Sequence, residues 1–113
     1  MSSFNQAKVS VLERRRWQPR HDCNIHARFG IDGHETACKI TNISSGGIGI
    51  TFDPVLRPRV GTRVAIYSEE TGHVTCVVRW VIATNAGLEF NEAAKASPMV
   101  RAFLAVLAGE SGV

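Results

Sequence analysis

Between Val74 and Ala83 every second residue is apolar, and this period of two constrains the fold more than any other feature. Val74, Cys76, Val78, Trp80 and Ile82 fall on one side, Thr75, Val77, Arg79 and Val81 on the other. Only an extended strand places every second side chain on the same face, because a helix repeats every 3.6 residues. The same pattern recurs in shorter form from Ile25 onward, as apolar stretches broken by turn residues. Strands are therefore expected over 24–30, 35–43, 47–52, 63–68, 74–83 and 87–91, with Gly33, Gly61, Gly72 and Asn85 in the breaks.

After Asn91 the period changes. Val100, Phe103, Leu104 and Leu107 stand at helical spacing among alanines, and Pro98 suits a first helical turn. A helix is expected over 97–108, ended by Gly109, with its apolar stripe on the barrel or on a partner. Short strands at regular spacing followed by one helix predict a mainly β fold, a six-stranded antiparallel β-barrel with a C-terminal α-helix. A length of 113 residues with 44% apolar and 20% charged side chains suits one such domain. We place it over 13–108, after a flexible N-terminal tail over 1–12 and before a short C-terminal tail over 109–113.

No apolar run approaches the roughly 20 residues of a membrane helix. The N-terminus lacks the apolar block of a secretory signal. The three cysteines, Cys23, Cys38 and Cys76, have no paired spacing. A soluble cytoplasmic protein without disulfides, and without membrane insertion, is the expectation. The net charge of +3 is concentrated near the start, where Lys8, Arg14, Arg15, Arg16, Arg20 and Arg28 face only Glu13 and Asp22. Attraction for an anion gathers there.

Two segments carry chemistry. In the first, Glu13-Arg14-Arg15-Arg16-Trp17-Gln18-Pro19-Arg20, Pro19 opposes a continuous helix through Arg20. An irregular arginine-rich loop aims planar forks at phosphate oxygens and at guanine O6 and N7, and stacks guanidinium planes on bases. Alone, such a run usually faces water, and Trp17 either anchors the segment to the barrel or meets a ligand. The second segment, Asn42-Ile43-Ser44-Ser45-Gly46-Gly47, lies between two expected strands. Asn42 and Ser44 offer hydrogen-bonding groups, while Gly46 and Gly47 allow positive φ and close approach of a ligand. Alone, it reads as a hairpin turn.

Together and in this order the segments resemble the PilZ family, which carries an R-x-x-x-R motif near the start of its barrel and a D/N-x-S-x-x-G motif on the following strands. Here the motifs are Arg16-Trp17-Gln18-Pro19-Arg20 and Asn42-Ile43-Ser44-Ser45-Gly46-Gly47. The Gly87-Leu88-Glu89-Phe90 segment and the terminal helix also look like the family, so the likeness spans Glu13 to Leu107. The resemblance implies a receptor for the second messenger cyclic di-GMP that acts on a downstream protein and catalyses no reaction. It implies that Arg16 and Arg20 contact guanine edges and phosphates, that Asn42 and Ser44 supply hydrogen bonds, and that Gly47 gives backbone room. Arg15 implies a second, stacked ligand molecule, hence two per chain, with Arg14 and Gly46 as secondary contacts. Trp80 either stacks on a guanine, as an aromatic does in some members, or packs in the core beside Val78 and Cys76. Asn42 stands where many members have aspartate, which removes a negative charge near the ligand phosphates.

Other readings rank lower. His21, Cys23 and His26 match no strong zinc signature, so no metal or cofactor is expected. Cys38 and Cys76 read as small core or surface residues rather than reactive thiols. No nucleophile, base and orienting group assemble from the motifs. A small barrel binding single-stranded nucleic acid would spread its cations along a groove instead of confining them to one segment. A ligand-free protein scaffold would have no need of the arginine motif.

Overall fold

The computed structural model describes residues 19–31, 33–55 and 57–109. Within them the chain forms β1 (His21–Ile31), β2 (His34–Ile43), β3 (Gly47–Phe52), β4 (Arg63–Ser68), β5 (Gly72–Ile82) and β6 (Asn85–Phe90). Two helices follow, α1 (Glu92–Lys95) and α2 (Pro98–Leu107). The strands close into a barrel in the order β1-β2-β3-β6-β5-β4, each pair antiparallel. β3 and β4 are not neighbours, so the chain between them crosses the end of the barrel. No described helix is long and apolar enough to cross a membrane.

Alternation decides what fills the barrel. Phe29 from β1, Ile40 from β2, Ile48 and Ile50 from β3, Ile66 from β4 and Val78 from β5 are all at most 1% exposed. Each such side chain contributes about 1.5–3 kcal/mol by leaving water. Phe29 meets Phe52 edge to face, with ring centroids 6.3 Å apart. Cys38 and Cys76 are buried, and burial pushes their thiols up to about 11 and about 12. Cys23 is partly buried, with its Sγ 3.6 Å from the Ile40 carbonyl oxygen. Burial first, then the charges of Asp22 and Glu70, raise its pKa. His26 points outward on the same strand, and among the described residues no three metal-ligating side chains converge.

Three details differ from the sequence reading. The alternation of β5 is broken by a β-bulge between Val78 and Trp80. Val78 is fully buried, yet Trp80 is 39% exposed, so the indole leaves the face it was expected to share with Cys76 and Val78. Next, Gly72 begins β5 and Asn85 begins β6 instead of lying in breaks, because Gly72 pairs with Ser68 and Asn85 pairs with Thr51 and Ile82 across both neighbouring strands. The reversal falls on Ala83, at φ 53. Finally, α1 precedes the expected helix. Asn91 Oδ1 accepts the Ala94 N–H at 2.8 Å, and one capped turn is too short to show a period.

The second helix follows the expectation closely. Ser97 caps it, its Oγ accepting the Val100 N–H at 3.3 Å, Pro98 opens it, and Gly109 at φ 77 lies just beyond it. Val100 is 1% exposed, and Phe103, Leu104 and Leu107 pack half-buried against the core. The apolar stripe therefore closes on the barrel itself. At Gly72, φ is 66 and a Cβ would stand 2.9 Å from Met99 Sδ, so the turn into β5 needs glycine for both conformation and space.

Candidate functional site

The outward side of β2, β3, β6 and β5 carries a row of cross-strand neighbours: Asn42 opposite Gly49, Gly49 opposite Gly87, and Gly87 opposite Trp80. Two bulges create this row. One lies between Ile40 and Asn42 where β2 pairs with β3, the other between Val78 and Trp80 where β5 pairs with β6. Each inserts one residue and reverses the facing of the residues after it, so Asn42 and Trp80 turn outward while Ile40 and Val78 stay in the core. Between the two lie glycines with no side chains to fill the surface. The result is an open depression of about 250 Å³, lined by Thr41, Asn42, Gly49, Trp80, Ile82 and Asn85 among others.

Arg20 joins this depression from the chain before β1. Its Nε and Nη2 both donate to Asn42 Oδ1, at 3.0 and 2.8 Å. The last arginine of the first motif and the first residue of the second are thus in direct contact. The Asn42 amide nitrogen donates to Thr41 Oγ1 at 3.4 Å, and Thr41 Oγ1 donates to the Gly49 carbonyl at 3.3 Å. These bonds orient the carboxamide beside its glycine. At the other end Arg79, the residue at the bulge, pairs with Glu89 of β6.

The remaining expected residues are placed differently. Ser44 is 0% exposed, and its Oγ accepts the Gly46 N–H at 3.2 Å within the hairpin loop. The Ser44 N–H donates to the Gly47 carbonyl at 2.9 Å. Its hydroxyl is therefore occupied in shaping the turn. Neither Gly46 nor Gly47 takes a positive φ, contrary to the sequence reading. Gly47 is needed for space instead, since a Cβ there would overlap the Leu88 carbonyl oxygen of β6. The Gly46 carbonyl accepts the Phe90 N–H at 2.9 Å, which ties the hairpin to the same strand. Arg14, Arg15, Arg16 and Trp17 lie outside the described residues.

Sequence reasoning missed Thr41, Gly49, Ile82 and Asn85 as lining residues. Gly49 and Gly87 did carry a signal, because an isolated glycine inside a strand marks a place where another group approaches closely. The identity of that group could not be read without the bulges.

The family model for the PilZ domain matches residues 13–105. This chain belongs to the PilZ domain family. No curated protein matches it. Among solved structures, the PilZ domain of YcgR from Escherichia coli with c-di-GMP superposes with a TM-score of 0.62 at 14% identity, over 84% of this chain and 90% of that one. The MrkH complex with c-di-GMP from K. pneumonia gives 0.64 at 18%, over 86% of this chain and 53% of that one. The Bacillus subtilis inhibitor of motility, MotI/DgrA, gives 0.63 at 19%, over 85% and 52%. This PilZ chain thus spans about half the length of MotI/DgrA and MrkH. At these identities the likeness is one of fold.

Proposed function

We propose that this PilZ domain is a receptor for cyclic di-GMP, which it holds on the outer face of the barrel and reports to a protein partner. The observation that carries the reading is the double hydrogen bond from Arg20 to Asn42, by which the two motifs meet beside the glycine row. The family supports it, as do structures of relatives with that dinucleotide, MrkH and the YcgR domain. So does the chemistry of the face. The ligand is a compact dianion with two purines, and it rewards planar cations and a flat aromatic surface more than an enclosed apolar cavity.

In this reading Arg20 and Arg16 address guanine edges and phosphates, Asn42 adds a donor and an acceptor, and Trp80 receives a base on its exposed side. Ser44 and Gly47 contribute by holding the hairpin on which Asn42 sits. Arg15, with Arg14 beside it in sequence, balances the charge of a second, stacked ligand molecule. Calorimetric titration with cyclic di-GMP tests the reading, with GTP, a linear dinucleotide and a single-stranded oligonucleotide as competitors. Saturable heat with the cyclic dinucleotide alone is the expected result. Silence with it, or binding of the oligonucleotide instead, overturns the proposal.

A further inference from the structure

Gly49 and Gly87 sit at ordinary φ, so the conformational freedom of glycine does not explain them. Space does. A Cβ at Gly87 would fall on the Trp80 indole, 2.8 Å from Cδ1 and closer still to Nε1 and Cε2. The five-membered ring of the indole thus rests on the Gly87 backbone. A Cβ at Gly49 would likewise fall on the Asn42 carboxamide, 2.9 Å from Cγ and Oδ1. The two glycines are partners in the β3–β6 ladder, about 5 Å apart as such pairs are. The bare peptide between Asn42 and Trp80 is therefore one continuous support.

We propose that Gly87 is a positioning residue for the ligand's base, setting the height and tilt of the Trp80 indole on which a purine stacks, and that Gly49 does the same for Asn42. This rests on the ligand lying on the outer face of the barrel. A side chain at Gly87 lifts the indole off the sheet, and the stacking surface is lost although Trp80 itself is intact. The bulge at Arg79 turns the indole outward, and the glycine fixes where it comes to rest. Neither Ala nor any larger residue at position 87 fits beneath it.

The test is a double-mutant cycle read by affinity for cyclic di-GMP and by the spectrum of the ligand-free protein. Trp80→Ala and Gly87→Ala should each weaken binding by about tenfold, the scale of one base stacked on an aromatic ring. The double variant should bind like Trp80→Ala alone, because without the indole there is nothing to lift. In the ligand-free native protein the Gly87 Hα resonances should be shifted upfield by the ring above them, and Trp80→Ala should abolish that shift. If the native protein does not bind cyclic di-GMP, the functional reading fails. If it binds and Gly87→Ala binds equally well, or loses as much again in the Trp80→Ala background, the positioning role is wrong. Should Gly87→Ala fail to fold, the double variant should recover the fold, and its failure to do so also overturns the proposal.

Discussion

Asn42 accepts two nitrogens of Arg20 on a single oxygen, and both side chains lie at the solvent edge of the barrel. An exposed polar contact of this kind adds little to stability. Arg20→Ala is therefore expected to leave the fold within about 0.5 kcal/mol of native while weakening cyclic di-GMP binding by about 1–3 kcal/mol, the scale of a lost bidentate contact to guanine. Arg16→Ala should do the same, and calorimetry with thermal melting reads both quantities. Ser44→Ala should show the reverse balance, costing the hairpin about 1 kcal/mol and the ligand less. The motif named Ser44 from sequence, but its burial and its bonds to Gly46 and Gly47 within the turn are set by the folded hairpin, which no local pattern reveals. The buried thiols give a pH dependence of definite sign. Cys76 has an ordinary value of 9.0 in an unfolded chain and is pushed up to about 12 in the barrel. Below pH 9.0 both states keep the proton and stability is full; above it only the unfolded chain releases it, so stability falls as pH rises toward about 12. This thiol alone gives a limiting slope of about 1.4 kcal/mol per pH unit. Urea unfolding under reducing conditions should show that Cys76→Ala flattens the alkaline decline.

Strands β3 and β4 begin and end where alternation and turn residues place them, and α2 differs from its expected span by one residue at each end. Those elements were legible because one face of each meets the core, and the pattern records that. The bulges were not legible. A bulge is a property of two strands in register, and nothing in Val78-Arg79-Trp80 announces that Leu88 and Gly87 will face Val78 and Trp80 with Arg79 left over. For the same reason the core reading of Trp80 stood until its partner strand was in place, which leaves the indole 39% exposed. Helix starts, by contrast, are local, and Pro98 stood in the sequence as a first-turn residue. Ser97→Ala should cost about 1 kcal/mol of stability by removing the acceptor for the Val100 N–H, without changing ligand affinity. Chemical denaturation and titration of the same variant check both halves.

At the scale of the molecule, charge and closure matter most. Arg20 meets Asn42 on the outer face of the barrel, and Asp22 pairs with Asn42 in the cross-strand ladder. In the proposed reading Arg15 offsets the charge of a second, stacked dinucleotide, so we expect a native stoichiometry of two ligands per chain, and Arg15→Ala to reduce it to one. Affinity should also fall more steeply with added salt in the native protein than in that variant, since the bound pair carries twice the charge. One ligand in both proteins would remove Arg15 from the site. The closed ring of strands has a further consequence. A sheet that returns on itself offers no cleft to shut, and its interior is already full of isoleucine, valine and phenylalanine. In the proposed reading the dinucleotide is laid on such a body as a new layer, and a protein docking on that face would touch purine and barrel together. The messenger would then be half of the epitope, and its departure would erase that epitope without any strand having to move.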